Sequence, residues 1–187
     1  MFAIAITLLT LEIALPAFAA FPSEAQLGAA LLGLWPKVLA YALSFAVIGI
    51  MWQNHHALFR LVPRIDRMTV FLNLVLLALT AFIPFASSVL GSYPALRPAE
   101  LLYGLVLTGC ATTYNGILMH LVRSKAFSHD VTEATIRETV RAYRVGWVTY
   151  AVATCAAFVA PLLSFALYGV VALYYLFPRG VDSDRPT

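Results

Sequence analysis

Long apolar stretches almost free of charge, separated by short charged segments, are the feature that most constrains this 187-residue chain. Hydrophobic residues make up 61% of it and charged residues 11%, whereas soluble domains carry about 25% charged residues. A helix of about 20 apolar residues crosses the roughly 30 Å hydrocarbon core of a bilayer. The chain is therefore predicted to be an all-α integral membrane protein that lies in the lipid bilayer, with no room for a separate soluble domain.

Six stretches are predicted to be transmembrane helices. Residues 124–144 hold the densest charge in the chain and separate the fourth stretch from the fifth. Pro161 marks the turn between the last two, because proline cannot continue the ladder of helix hydrogen bonds. Residues 1–187 are thus expected to form one six-helix domain. The approximate helix bounds are 1–21, 34–57, 68–90, 99–122, 145–158 and 162–177.

The basic residues fall in alternate loops, which predicts the orientation of the chain. Cytoplasmic loops carry an excess of Lys and Arg, and ten of these residues lie in alternate loops and the C-terminal tail. These loops and both termini are therefore expected to face the cytoplasm. The protein is expected to lie in the cell membrane. Lys37 and Arg97 lie in the opposite loops. Because the basic residues report topology, no nucleic-acid partner is expected. The ten are Arg60, Arg64, Arg67, Arg123, Lys125, Arg137, Arg141, Arg144, Arg179 and Arg185.

No residue pattern predicts a metal or a cofactor. Cys110 and Cys155 lie inside apolar stretches, far from other ligands at metal spacing, and are interpreted as packing residues. His55 and His56 are adjacent, so their side chains point about 100° apart on a helix and form a poor chelating pair.

The first helix carries a stripe of branched side chains on one face. Ile4, Thr7, Leu8 and Leu11 lie within an arc of about 100° when each residue advances 100° around the helix axis. By periodicity alone such a stripe is more often a packing face than the wall of a pore. The spacing therefore leaves both roles open.

Three sequence blocks resemble the prokaryotic transmembrane protein 175 family, relatives of the lysosomal potassium channel. The first block is the most specific, and together they cover roughly residues 2 to 90, while the six-helix layout extends the likeness over the whole chain. The blocks are Phe-Ala-Ile-Ala-Ile-Thr-Leu-Leu-Thr-Leu-Glu-Ile at 2–13; Tyr41, Ser44-Phe45 and Trp-Gln-Asn-His-His at 52–56; and Asn73-Leu74 with Phe-Ile-Pro-Phe at 82–85.

The resemblance implies a potassium-permeable leak channel of four six-helix subunits, not an enzyme, with potassium ions and other copies of the chain as partners. In such relatives the first helix lines the pore, and Ile4 matches the isoleucine of the constriction. Leu8 and Leu11 match further apolar wall positions, and Thr7 lies at or near this wall. A narrow apolar ring gates by dewetting. The chain lacks the Thr-Val-Gly-Tyr-Gly filter of ordinary potassium channels, so modest selectivity is expected.

One part of the family pattern is missing before the first helix. Relatives begin that helix several residues earlier with an Arg followed by Phe-Ser-Asp, whereas Met1 directly precedes Phe2 here. Either the native start lies upstream or the cytoplasmic mouth is rebuilt. A helix from Met1 to Pro16 covers only about 22 Å, short of the ~30 Å core, which favours a missing piece.

Further polar residues have two interpretations each. Glu12 either attracts cations to the outer mouth or pairs with Lys37 near the interface. The resemblance suggests that a polar network braces the cytoplasmic end of the first helix. The residues of this network are Trp52, Asn54, His55 and His56.

Alternative functions use the same polar cluster. An integral-membrane enzyme or transporter would place Asn54, His55 and His56 in a pocket with Asn73. Such a protein is expected to need a nucleophile paired with a base, or a second intramembrane carboxylate besides Glu12, and neither is found by pattern. A purely structural protein and a proton-conducting form of the channel are the remaining hypotheses.

Overall fold

The structure, a computed structural model, describes residues 1–176, and the regular secondary structure of this part is α-helical. Arg179 and Arg185, which contribute to the predicted orientation, lie outside the described residues. Seven helices are present in the described part: α1 (Phe2–Leu11), α2 (Glu24–Gly33), α3 (Trp35–Arg60), α4 (Arg67–Ser92), α5 (Arg97–Arg123), α6 (Glu133–Ala156) and α7 (Pro161–Leu176).

Length and composition separate these helices into groups. The helices α3, α4 and α5 are long and apolar enough to cross a membrane, and α1 is a shorter apolar helix. The bounds of α3, α4, α5 and α7 agree with the predicted ones to within three residues. The predicted all-α fold is therefore confirmed.

The first predicted helix, 1–21, is too long. In the structure α1 ends at Leu11 with Glu12 as its C-cap. Pro16 explains this end, because proline has no N–H to donate to the carbonyl of Glu12 and its ring would collide with that carbonyl. Helix α2 is absent from the sequence prediction. Its N-cap residue, Ser23, forms a capping box with Gln26.

The fifth predicted helix, 145–158, begins too late. Helix α6 starts at Glu133, and the hydroxyl of its N-cap residue Thr132 accepts a hydrogen bond from the backbone N–H of Thr135. Glu133 also lies 3.7 Å from Arg137, one helical turn later. The polar composition of residues 124–144 is typical of a loop, but capping and ion pairs of this kind support a helix outside the apolar region.

Helices α4 and α5 form the centre of the bundle. Helix α5 packs against α4 and α6, α3 packs against α4, and α1 lies across α4 and α3. A buried hydroxyl cluster joins three of these helices: the Oγ atom of Ser44 lies 2.9 Å from Oγ of Ser87 and 3.0 Å from Oη of Tyr103. These bonds fix the depth at which α3, α4 and α5 meet.

The α3–α4 and α5–α6 connections meet at one end of the bundle. The backbone N–H of Ser128 donates to the carbonyl of Leu61 at 2.9 Å, and Nε2 of His120 lies 2.7 Å from Oδ2 of Asp66. Asp66 also caps α4, accepting a hydrogen bond from the backbone N–H of Thr69. The hydrogen bonds from Thr69 and then from His120 lower the pKa of Asp66 to about 2.

Candidate functional site: the exposed face of helix α1

Helix α1 has one face inside the subunit and one outside it. Ala5 and Leu9 are almost fully buried, at 2% and 1% exposure. On the opposite face Ile4 is 58% exposed and Leu11 74% exposed. The subunit therefore holds α1 by its inner face and leaves an apolar stripe uncovered.

The predicted pore-lining residues share this outer face. Leu8 is 41% exposed, and Thr7 is exposed beside it. The hydroxyl of Thr7 donates to the carbonyl of Ile4 at 2.8 Å, so its polar group is satisfied within the helix. The stripe therefore presents an apolar surface with no charged group, which suits an interface or a hydrophobic constriction better than an ion-coordinating site.

Glu12 lies at the end of this stripe. It is half-buried and lines a small crevice with Lys37 and Tyr41. Within the described residues Glu12 and Lys37 form no ion pair inside 4 Å. The expected pairing is thus not made in the isolated subunit, and the role at the outer mouth stays a prediction.

His55 ties the start of α1 to two other helices. Its Nε2 atom lies 2.8 Å from Oδ1 of Asn73 on α4. Its ring stacks on Phe59 with 4.4 Å between centroids and lies 5.3 Å from the ring of Phe2. This arrangement places the His55 ring against the start of α1, and the bracing role that the resemblance suggests stays a prediction.

The four residues of the predicted polar network do not form one network. The Trp52 and His56 rings stack on each other, 5.8 Å apart, on the exposed side of α3. Asn54 instead lines a cavity between α3, α5, α6 and α7. Because neighbouring helical residues point about 100° apart, the sequence cluster divides into three separate environments. The pocket required by the enzyme or transporter hypothesis is therefore not assembled from Asn54, His55 and His56.

Sequence reasoning missed two features of this region. Phe2 was not expected to contact His55, and no periodic signal links a residue of α1 to one on α3. Glu100 was also missed, although it is a second carboxylate inside a helix long enough to span a membrane. It is 0% exposed, and neither of its carboxylate oxygens has a partner among the described residues. Glu100 lies in the first turn of α5 together with Arg97, a position that in the sequence is typical of a residue exposed at the membrane–water interface.

The described residues contain no group of three or more His, Cys, Asp or Glu side chains arranged for a metal ion. Cys110 is buried and Cys155 is exposed, and both are free thiols. Within the described part of the chain the candidate site therefore consists of the apolar face of α1 and the contacts of His55 with Phe2, Phe59 and Asn73.

These features define a polytopic helical membrane protein whose first helix presents an uncovered apolar stripe. Residues 1–84 match the family described as endosomal/lysosomal potassium channel TMEM175. A potassium channel of Streptomyces collinus is 38% identical over 181 residues, which cover 94% of this chain and 86% of that protein. The chain belongs to the TMEM175 family.

Relatives in a second organism agree with this assignment. A potassium channel of Chamaesiphon minutus is 37% identical over 183 residues, covering 93% of this chain and 87% of the relative. The chain also superposes with a TM-score of 0.81 and 35% identity on the crystal structure of a lysosomal potassium-selective channel TMEM175 homolog from Chamaesiphon minutus. That match covers 94% of this chain and 90% of the other. The resemblance read from the three sequence blocks is confirmed.

Proposed function

We propose that four copies of this chain form a potassium-permeable leak channel in the cell membrane, with α1 of each subunit lining the pore. The observation that carries this proposal is the uncovered apolar stripe on α1, where Ile4 and Leu11 are 58% and 74% exposed. The similar proteins from Streptomyces collinus and Chamaesiphon minutus are named potassium channels. Since they are channels, catalysis is set aside as the function.

A single subunit cannot enclose a pore with α1, because the stripe lies on its outside. Several copies with their stripes facing a common axis would enclose a conduit, and they would also cover apolar surface on their neighbours. A homotetramer supplies four first helices to one central pore.

The proposed topology has six membrane crossings, formed by α1 and α3 to α7, with both termini in the cytoplasm. The connections 61–66 and 124–132, which adjoin most of the basic residues, meet at one end of the bundle. Lys37 and Arg97 belong to the start of α3 and of α5, at the opposite ends of those helices. This distribution supports a cytoplasmic position for the basic end.

The constriction would work by excluding water. Ile4 to Leu11 spans about 10 Å of helix rise, enough for stacked rings of Ile4, Leu8 and Leu11 with Thr7 beside them. A narrow apolar bore empties of water, and an ion cannot pass without its hydration shell. Widening or wetting the bore would admit potassium. Glu12, beyond Leu11, would raise the cation concentration at the outer mouth.

Ion flux through purified protein in liposomes tests the proposal. The Ile4→Asn variant should wet the constriction, raise potassium flux and reduce the preference for potassium over sodium. Leu105→Asn is the matched control, since Leu105 is also an exposed apolar residue, at 63%, but lies on α5. It should leave flux unchanged. Equal flux in Ile4→Asn and the unmodified chain would argue against α1 as the pore wall.

The same liposomes separate potassium from proton conduction. A wetted apolar pore passes protons as well as potassium, so proton flux is recorded with a pH-sensitive dye in parallel. A channel that carries protons but no potassium would replace the leading proposal with its proton-conducting form.

A further inference from the structure

A partly open cavity of about 70 Å³ lies between α3, α5, α6 and α7. It is separate from the outer face of α1, because its lining residues all come from those four helices. A water molecule needs roughly 10–15 Å³ by such a measure. The cavity therefore admits several waters or one small organic molecule.

Aromatic rings form much of the cavity wall. Tyr114 and Tyr143 meet edge to face, with 5.1 Å between ring centroids, and Tyr150 and Trp147 line the same space. Trp147 is 39% exposed and its indole N–H donates to the hydroxyl of Thr112 at 2.8 Å. That bond fixes the Trp147 ring, which forms the outer wall of the cavity. Such walls favour a flat ring, which can stack on them or meet them edge to face.

A few hydrogen-bonding groups interrupt this apolar wall. The Oη atom of Tyr114 is buried, with the side chain of Tyr143 as its polar neighbour. Asn115 donates from Nδ2 to the carbonyls of Ala111 and Tyr143, at 2.9 and 3.2 Å, which leaves its Oδ1 atom as an acceptor. An occupant that carries one polar group can exchange hydrogen bonds with these side chains.

We propose that this cavity binds one small uncharged aromatic molecule that carries a single hydroxyl or N–H group. Its ring would lie among the tyrosines, and its polar group would bond to Tyr114 and Asn115. No charged side chain of the described residues lines the cavity. An anion there would lose its hydration without gaining a counter-charge, and tetramethylammonium tests directly for a cationic ligand.

The cavity also reaches the helix that holds α1. Asn54 lines it, and the next residue, His55, contacts Phe2 at the start of α1. A ligand in contact with Asn54 therefore acts on the turn of α3 that meets α1, and it would alter potassium flux. This effect on flux rests on the proposed function, whereas the binding itself does not.

Binding is tested with 4-fluorophenol as the probe, followed by fluorine NMR with the purified oligomer in lipid nanodiscs. The unmodified protein should show saturable binding. Ala111→Leu places a larger side chain in the cavity wall and should weaken binding by about tenfold or more. Ala42→Leu, at an exposed position of α3, is the matched control and should bind as the unmodified protein does.

A second variant keeps the test valid if Ala111→Leu misfolds. Tyr114→Phe removes the buried hydroxyl and keeps the ring, so 4-fluorophenol should bind several-fold more weakly while fluorobenzene binds unchanged. Equal, non-saturable uptake by all variants would show partition into lipid only and would overturn the proposal. Saturable binding of tetramethylammonium in place of 4-fluorophenol, or no saturable binding of either, would also overturn it. None of these outcomes depends on ion conduction.

Discussion

The Nε2 atom of His55 lies 2.8 Å from the Oδ1 atom of Asn73, which joins α3 to α4 beside the first residue of α1. The ring of His55 is at the same time held between Phe59 and Phe2. One side chain thus connects the helix with the uncovered apolar stripe to the two helices behind it. Stability and the position of α1 should both depend on this contact.

Replacing His55 by Ala should lower the free energy of unfolding by about 1–3 kcal/mol. The variant loses an interhelical hydrogen bond, worth about 0.6 kcal/mol on average in membranes, together with an aromatic contact of about 0.5–1.5 kcal/mol and packing around the ring. Denaturation in mixed micelles measures the change. His56→Ala is the control, because His56 is exposed and stacks on Trp52. Equal losses in the two variants would contradict the bracing role.

Leu8 and Leu9 are adjacent, but truncation of Leu9 should mainly lower stability, whereas truncation of Leu8 should mainly change potassium flux. Leu9 is 1% exposed, so Leu9→Ala leaves a cavity inside the subunit and should cost about 2–5 kcal/mol of stability. Leu8 is 41% exposed, so Leu8→Ala should cost far less and should raise potassium flux by widening the constriction. Unfolding and liposome flux are measured on both. A rise in flux for Leu9→Ala alone would reverse the assigned faces.

The cap formed by Asp66 should make stability depend on acid pH. Its folded pKa of about 2 lies below the ordinary value of 3.8, so the ionised form stabilises the folded protein. This contribution is fully present above about pH 4 and is lost as the pH falls through about 2, because the unfolded chain takes up the proton first. Thermal unfolding should show Asp66→Ala less stable than the unmodified protein near neutral pH, with the gap closing in this window.

Asp130→Ala provides the control for that experiment. Asp130 is an exposed carboxylate in the neighbouring connection 124–132. Its removal should produce no gap of this kind at any pH. A gap between Asp66→Ala and the unmodified protein that persists below pH 2 would show that the stabilisation does not come from the ionised carboxylate.

Gly104 permits the close approach of α5 to α6 and α7. A Cβ atom there would collide with the hydroxyls of Tyr168 and Thr154, so Gly104→Ala should destabilise the subunit by about 1–3 kcal/mol. Gly116 lies on the same helix with open space around the Cβ position. Gly116→Ala should therefore be neutral or stabilising by up to about 1 kcal/mol.

The Tyr168 hydroxyl supplies the direct check on that explanation. Combining Gly104→Ala with Tyr168→Phe removes one of the two colliding oxygens and should recover part of the lost stability, measured as a double-mutant cycle. If the two changes are strictly additive, the cost at Gly104 has another origin.

Much of the fold was predictable because it depends on local sequence. The apolar stretches gave α3, α4, α5 and α7 to within three residues. The misjudged ends have local causes as well, since Pro16 stops α1 and the capping of α6 by Thr132 extends that helix into the charged segment. Hydropathy does not detect these ends, because it indicates which part of a helix lies in lipid and not where the helix begins or ends.

The sequence by itself determined that the chain is a bundle of membrane helices, that Ile4, Thr7, Leu8 and Leu11 share one face, and to which family the chain belongs. Only the tertiary structure decided which face of α1 is uncovered, which partner His55 takes, and that Glu100 is buried. The physical reason is that lipid and protein interior are both apolar, so a membrane helix shows no contrast between its packed and unpacked sides. Contacts between helices distant in sequence resolve that ambiguity.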